Sequence, residues 1–230
     1  MKADGFQPTS HKSVFICGVV ILAAGASSRM GKSKLLLPWG GTSVLGHLID
    51  QWRGLRAGQI TVVHAAADPA IGAELDRLGF PAADRIANAQ PGRGMFSSIQ
   101  CAARWHGWKE ELTHWVILLG DQPHLRPKTL RWLLKFSAAH PRHICQPGRS
   151  GRPRHPVVLP RTDFQQLNRA RDISLKVFLK NTSTDPAVCE LDDPGLDLDI
   201  DTPADYENAL HLWQRDRGDA TMVKSGRRDL

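Results

Sequence analysis

Short continuous apolar runs alternate along this chain with longer stretches in which apolar residues recur every three to four positions. The runs predict buried strands over Val14–Leu22, Gln59–Ala65, Trp115–Leu119, His143–Cys145, Pro156–Leu159 and Leu196–Ile200. The other stretches predict helices over Ser43–Leu55, Pro69–Leu78, Gly94–Trp105, Pro127–Ala139, Thr162–Arg169 and Pro203–Trp213. Ser43 suits a cap and Pro127 a first helical turn. Strand and helix in alternation predict an α/β fold of three layers, α/β/α, around a mostly parallel, doubly wound sheet. Right-handed crossovers put the loops after successive strands along one edge, where ligands bind. No boundary or repeat divides residues 14–215, which are expected to form a single domain. Residues 1–13 and 217–230 are polar and are expected to be flexible tails.

Composition narrows the function by exclusion. Hydrophobic residues make up 41% of the 230, enough for a substantial core. No apolar run is long enough to span a bilayer, and the first dozen residues lack a signal-peptide apolar region. The expectation is a cytoplasmic protein with no membrane partner. Cys17, Cys101, Cys145 and Cys189 are widely spaced and read as free thiols. The net charge of +7 hides two blocks. Residues 141–180 carry nine Lys/Arg against two Asp/Glu, and residues 184–207 carry nine Asp/Glu with no Lys/Arg. The acidic block would repel phosphates and no aromatic residues interleave with the cations, which argues against nucleic acid.

Candidate chemistry begins at residues 22–34, Leu-Ala-Ala-Gly-Ala-Ser-Ser-Arg-Met-Gly-Lys-Ser-Lys, directly after the first strand. Small residues let a ligand approach the backbone. Arg29, Lys32 and Lys34 add fixed cations, so the stretch reads as a phosphate cradle. A P-loop needs four residues between its first Gly and its Gly-Lys. Five separate Gly25 from Gly31, and the spacing argues against that motif. There is no G-x-G-x-x-G and no G-x-S-x-G, which leaves dinucleotide binding and Ser-His-Asp hydrolysis unsupported.

Two carboxylates complete the picture. Asp121 follows the strand Trp115–Leu119, and Pro123 fixes the turn behind it. In Asp197–Asp201, aspartates alternate with apolar residues, and period two puts all three on one face. Asp201 is the last, at the predicted strand end. It also suits the start of a helix, where Thr202, Pro203 and Asp205 make a capping pattern. Asp121 and Asp201 together suggest a Mg²⁺ site completed by substrate phosphate oxygens and water. Asp199 can assist or replace Asp201.

The cradle resembles that of nucleotidyltransferases of the molybdenum cofactor type, whose signature is L-A-A/G-G-x-S-x-R-M/F-G-x-x-K. Leu22, Ala23, Ala24, Gly25, Ser27, Arg29, Met30, Gly31 and Lys34 match it. Gly94-Met95-Phe96-Ser97-Ser98, Gly120-Asp121-Gln122-Pro123, Arg154-His155-Pro156-Val157 and Asp199-Ile200-Asp201-Thr202-Pro203 continue the match in order, over about residues 14–213. The resemblance implies a nucleotide-diphospho-sugar-transferase-like fold and a Mg²⁺-dependent transfer of a nucleotidyl group. Leu22, Ala23, Ala24, Gly25, Arg29, Lys34 and Ser98 would bind the nucleotide, with Arg29, Lys34 and Asp121 catalytic. Asp121 and Asp201 would bind the metal, and Arg154 and His155 the acceptor. Ala24, where guanylyl-transferring relatives usually carry Gly, tilts the resemblance toward cytidylyltransferases. The implied substrates are CTP, or another nucleoside triphosphate, and molybdenum-pterin phosphate, with a molybdoenzyme as a further partner. Guanylyl transfer, or activation of a sugar or alditol phosphate, is the nearest alternative. A protein that binds and delivers the finished cofactor is an alternative of another class.

Overall fold

The computed structural model describes residues 14–25, 33–182 and 185–225, with 217–225 as backbone only. Its centre is strand β1 (Cys17–Ala23), flanked by β4 (Gln59–Ala65) and β6 (His114–Leu119), both parallel to it. The short pair β2 (Pro38–Trp39) and β3 (Thr42–Ser43) forms a separate hairpin. Beyond β4 lies β5 (Arg85–Asn88). Beyond β6 lie β9 (Val157–Pro160), β7 (Cys145–Arg149) and β10 (Ala187–Glu190), and β8 (Arg152–Pro153) pairs with the end of β7. Only β9 and β8 run antiparallel within this sheet.

The period of two that marks each strand divides the core into two. Val19, Ile21 and Ala23 of β1 join Val116 and Leu118 of β6 in one cluster, while Val20 and Leu22 join Trp115 and Ile117 in the other. The first cluster is closed by α1 (Val44–Gly54), α2 (Pro69–Arg77), α4 (Pro127–Ala139) and α7 (Pro203–Ser225). The second is closed by α3 (Met95–Arg104), α5 (Arg161–Gln166) and α6 (Leu175–Lys180). These are the three expected layers, and fully burying each Leu, Ile or Val contributes about 1.5–3 kcal/mol.

The winding positions the site. From β1 the chain moves outward through α1, β4 and α2 to β5, then crosses the other face through α3 and returns to β6 on the far side of β1. The direction of winding reverses between β1 and β6, where Leu22 pairs with Leu119. The crevice beyond the carboxyl ends of those two strands is where such sheets bind ligands.

Several elements depart from the sequence pattern. The strand expected over His143–Cys145 instead runs Cys145–Arg149. Pro147 reads as a breaker, yet its carbonyl accepts from Arg154 N at 2.7 Å and holds the strand to the β8 turn. Leu196–Ile200 is not a strand. Pro194–Asp197 forms a 3-10 turn, and the segment after it makes one described backbone bond to the sheet side, Ile200 N to Asp121 O at 3.0 Å. The three aspartates therefore do not share one face. β5, β10 and α6 are too short and too half-exposed to show a clear period. α7 starts where the capping pattern puts it, with Thr202 N donating to Asp205 and Asp205 N to Thr202 Oγ1, but it continues to Ser225. Residues 1–13 lie outside the described residues, as do 226–230 of the expected C-terminal tail. All four cysteines are free, and burial pushes the Cys17 thiol up to about 11.

Candidate active site

Two cavities meet at the switch point. The first, about 460 Å³, is walled by the end of β1 (Leu22, Ala24, Gly25), by Lys34 and Leu35, by the loop and first turn of α3 (Pro91 to Ser98), and by Gly120 and Asp121 after β6. Gly120 permits this approach: a Cβ there would stand 2.6 Å from Leu35 Cδ2 and 3.0 Å from Leu22 O. Ala23, expected in the nucleotide site, faces the opposite core and is 1% exposed. Arg29, Lys32 and the rest of 26–32 lie outside the described residues.

Lys34 begins a 3-10 turn, Lys34–Leu36, that brings its side chain back over the strand ends. Its Nζ lies 2.8 Å from Asp121 Oδ2 and 3.6 Å from Asp201 Oδ1. The sequence predicted the convergence of Asp121 and Asp201 but not that a lysine bridges them. The other oxygen of Asp121 is buried and has no hydrogen-bond partner among the described residues. A buried carboxylate oxygen with nothing to bind is costly, and a cation satisfies it. No group of three or more His, Cys, Asp or Glu that could hold a metal occurs among the described residues. Asp121 and Asp201 are thus a two-carboxylate set that fits Mg²⁺ or Mn²⁺ only when substrate oxygens and water complete the shell. Asp199 is near enough to this group to feel the charges of Asp121 and Asp201. It accepts from Gln122 Nε2 at 2.9 Å, and burial, reinforced by the Asp121 charge, raises its pKa.

Ser98 is buried in the first turns of α3 and lines the cavity. Its Oγ accepts from Asn88 Nδ2 at 2.9 Å, and Asn88 donates equally to Ser97. Asn88 closes the arrangement by accepting from Gln90 N at 2.8 Å. Sequence reading missed Asn88 as the residue that shapes this wall. Its signal was only an Asn ending a strand too short to recognise. Gly94 opens the helix with φ 87°, a backbone that favours glycine, and Met95 is half exposed on the cavity wall.

The second cavity, about 660 Å³, shares Leu119 with the first and is lined by Gln122, Arg152, Arg154, His155, Asp197 and Asp199, among others. Arg154 and His155 are therefore together, as expected. Arg154 is not an open cation: its Nε donates to Asp197 Oδ1 at 2.8 Å, and Arg149 Nη1 donates to Asp197 Oδ2. The basic and acidic blocks read from the sequence meet here. The two arginines hold the Asp197 carboxyl below its usual range. His155 precedes a cis peptide to Pro156. Burial lowers its pKa, the Asp121 charge opposes that in part, and its Nδ1 is buried without a hydrogen-bond partner among the described residues.

This geometry has known counterparts. A family model described as a MobA-like NTP transferase domain matches residues 19–186. The chain belongs to this family, and its fold and chemistry are those of a nucleotidyltransferase. It is 33% identical over 125 residues to the 3-deoxy-manno-octulosonate cytidylyltransferase of Rhodopirellula baltica, covering 54% of this chain and 47% of that one. The chain thus spans about half the length of that relative. It is 27% identical over 203 residues to a probable molybdenum cofactor guanylyltransferase of Carboxydothermus hydrogenoformans, covering 85% of this chain and 95% of that protein. Rv0371c of Mycobacterium tuberculosis superposes with a TM-score of 0.67 at 29% identity, over 86% of this chain and 98% of that one. The same mycobacterial protein has been solved in complex with manganese. Among the described residues, no helix is long and apolar enough to cross a membrane.

Proposed function

We propose that this nucleotidyltransferase moves CMP from CTP to the phosphate of a molybdenum-bound pterin, with release of pyrophosphate. The observation that carries the reading is Lys34, on the wall of the first cavity, held between Asp121 and Asp201. The first cavity takes the nucleotide, with Leu22, Ala24, Gly25 and Ser98 in its wall. The second takes the acceptor beside Arg154 and His155.

The transfer asks for positioning and neutralisation more than covalent work. A phosphate monoester is largely doubly charged at neutral pH and attacks without a general base. An acceptor phosphate oxygen bonds to the α-phosphorus as the bond to the β-phosphate oxygen breaks, and pyrophosphate leaves with that electron pair. Lys34 turns from the carboxylates to the β- and γ-phosphates, joined there by Arg29. Asp121 and Asp201 would hold a divalent cation, which would supply charge neutralisation for the transferred phosphate and the leaving group. His155, kept neutral by burial, packs against the acceptor without adding charge.

Ala24 supports CTP, because its methyl group takes space in the cavity wall and favours the smaller pyrimidine. Guanylyl transfer is the second reading, favoured by the match to the C. hydrogenoformans protein over most of both chains. A purely cofactor-delivering protein would have no use for Lys34, Asp121 and Asp201 together. The test is to incubate the pure protein with Mg²⁺ and each of the four nucleoside triphosphates, with molybdenum-pterin, sugar or alditol phosphates, and measure pyrophosphate. Release only with CTP and the pterin is the expected result. Release with GTP, or with a sugar phosphate, replaces the reading.

A further inference from the structure

Arg154 and Asp197 on the wall of the second cavity form a charged cluster with Arg149, in which the transfer chemistry assigns no part to the aspartate. Arg149 ends β7 and Arg154 follows β8, so the antiparallel β7–β8 turn brings both guanidiniums to one side. Both are spent on Asp197, one on each carboxylate oxygen. The match is incomplete. Arg149 Nε is buried and has no acceptor among the described residues. One carboxylate offers a single negative charge and two oxygens to two cations. A phosphate group offers up to two charges and three oxygens, which suits paired guanidiniums better.

Asp197 is also placed to give way. It is the last residue of the turn Pro194–Asp197, which is anchored by the buried Asp193 accepting from Gly195 N rather than by Asp197 itself. The Asp197 side chain is 33% exposed, and an ion pair at that exposure is weak.

We infer that Asp197 is a specificity-determining residue, an internal stand-in for the anionic group of the acceptor. It holds Arg149 and Arg154 until a doubly charged phosphate displaces it. A singly charged or neutral acceptor cannot offset the loss of the two contacts, so the cavity selects for a dianion. This inference rests on reading the second cavity as the acceptor side.

The test follows the arginine Nε–H signals by NMR at pH 7.5. The nucleotide site is saturated with Mg²⁺ and a CTP analogue that cannot be cleaved between its α- and β-phosphates. The probes are inorganic phosphate, mainly a dianion, and dimethyl phosphate, a monoanion. In the wild type, phosphate should shift the Arg149 and Arg154 signals and dimethyl phosphate should not. In Asp197→Asn, phosphate should bind about 3–10-fold tighter, the effect of removing a weak exposed competitor, and dimethyl phosphate should begin to bind. Asp197→Ser should repeat the gain. If phosphate shifts both arginines but binds the two variants no tighter than wild type, Asp197 is not a competitor, while the acceptor reading stands. If phosphate shifts neither arginine in any form, the inference and the acceptor reading fall together.

Discussion

The two cavities that meet at Leu119 are assembled by different means. The first, proposed for the nucleotide, is walled largely by the ends of adjacent parallel strands and the turns that follow them. The second, proposed for the acceptor, is built from loops and short elements and carries charged contacts such as Arg154 to Asp197. The first wall is mostly apolar, with Lys34 and Asp121 on it. The second holds paired charges, Asp197 with Arg149 and Arg154, which the proposed acceptor would have to displace. Damage to the first should therefore appear in the chemical step, and damage to the second in acceptor affinity.

The largest effect should come from the carboxylates at the junction. Asp121→Asn and Asp201→Asn are each expected to keep the fold and lower kcat by about 10²–10³, the usual loss for one oriented electrostatic group. Steady-state rates at saturating substrates, with circular dichroism as the control, check this. Full activity of both at limiting Mg²⁺ would remove the metal from the account.

Lys34→Ala should come next. Its loss should weaken CTP by about 10–100-fold and CMP far less, because a charge-assisted bond contributes about 1.5–3 kcal/mol and its partners are the β- and γ-oxygens. Calorimetry with CTP, CDP and CMP measures it. Equal losses across the series would put Lys34 at the α-phosphate or base and break the division of roles.

Arg154→Ala sharpens the comparison from the other side. Acceptor affinity should fall by about tenfold with nucleotide affinity unchanged, and the loss should persist at high salt as expected for direct contact. Binding isotherms for both substrates across a salt series decide it. A fall in nucleotide affinity alone would assign the arginine to the first cavity.

The smallest expected effect is on stability. Burial lowers the pKa of His114, His124 and His155 from the ordinary 6.5. Between the folded and unfolded values the unfolded chain binds more protons, so stability rises with pH through that window and falls as the pH drops below 6.5. Thermal melts from pH 7.5 to 5 should show a falling Tm, and His155→Asn should flatten part of the slope. A Tm that is constant or rises on acidification contradicts the burial of these rings as neutral groups.

What could be read from the sequence follows the same division. Strands β1, β4 and β6 are long, apolar and bounded by turns, so their pattern is plain and places Asp121 at a strand end, while Leu22, Ala24, Gly25 and Lys34 stand out through the family resemblance of residues 22–34. Asp197 was misplaced because alternation over Asp197–Asp201 imitates a strand, whereas Pro194 and Gly195 turn the chain and send Asp197 to the arginines. The Lys34 bridge spans 87 residues and the Arg154 contact 43, and local pattern carries no record of such pairings. Asn88 was hidden because β5 has only four residues.

In the proposed transfer Asp121 would hold the cation that neutralises the moving phosphate. The most direct measurement is a single-turnover reaction of excess protein with CTP labelled at the α-phosphate, Mg²⁺ and molybdenum-pterin phosphate, in wild type and Asp121→Asn. The account predicts label in a pterin dinucleotide and equimolar pyrophosphate in the wild type, with the rate about 10²–10³ lower in the variant. Label that reaches the acceptor equally fast in both proteins would contradict it.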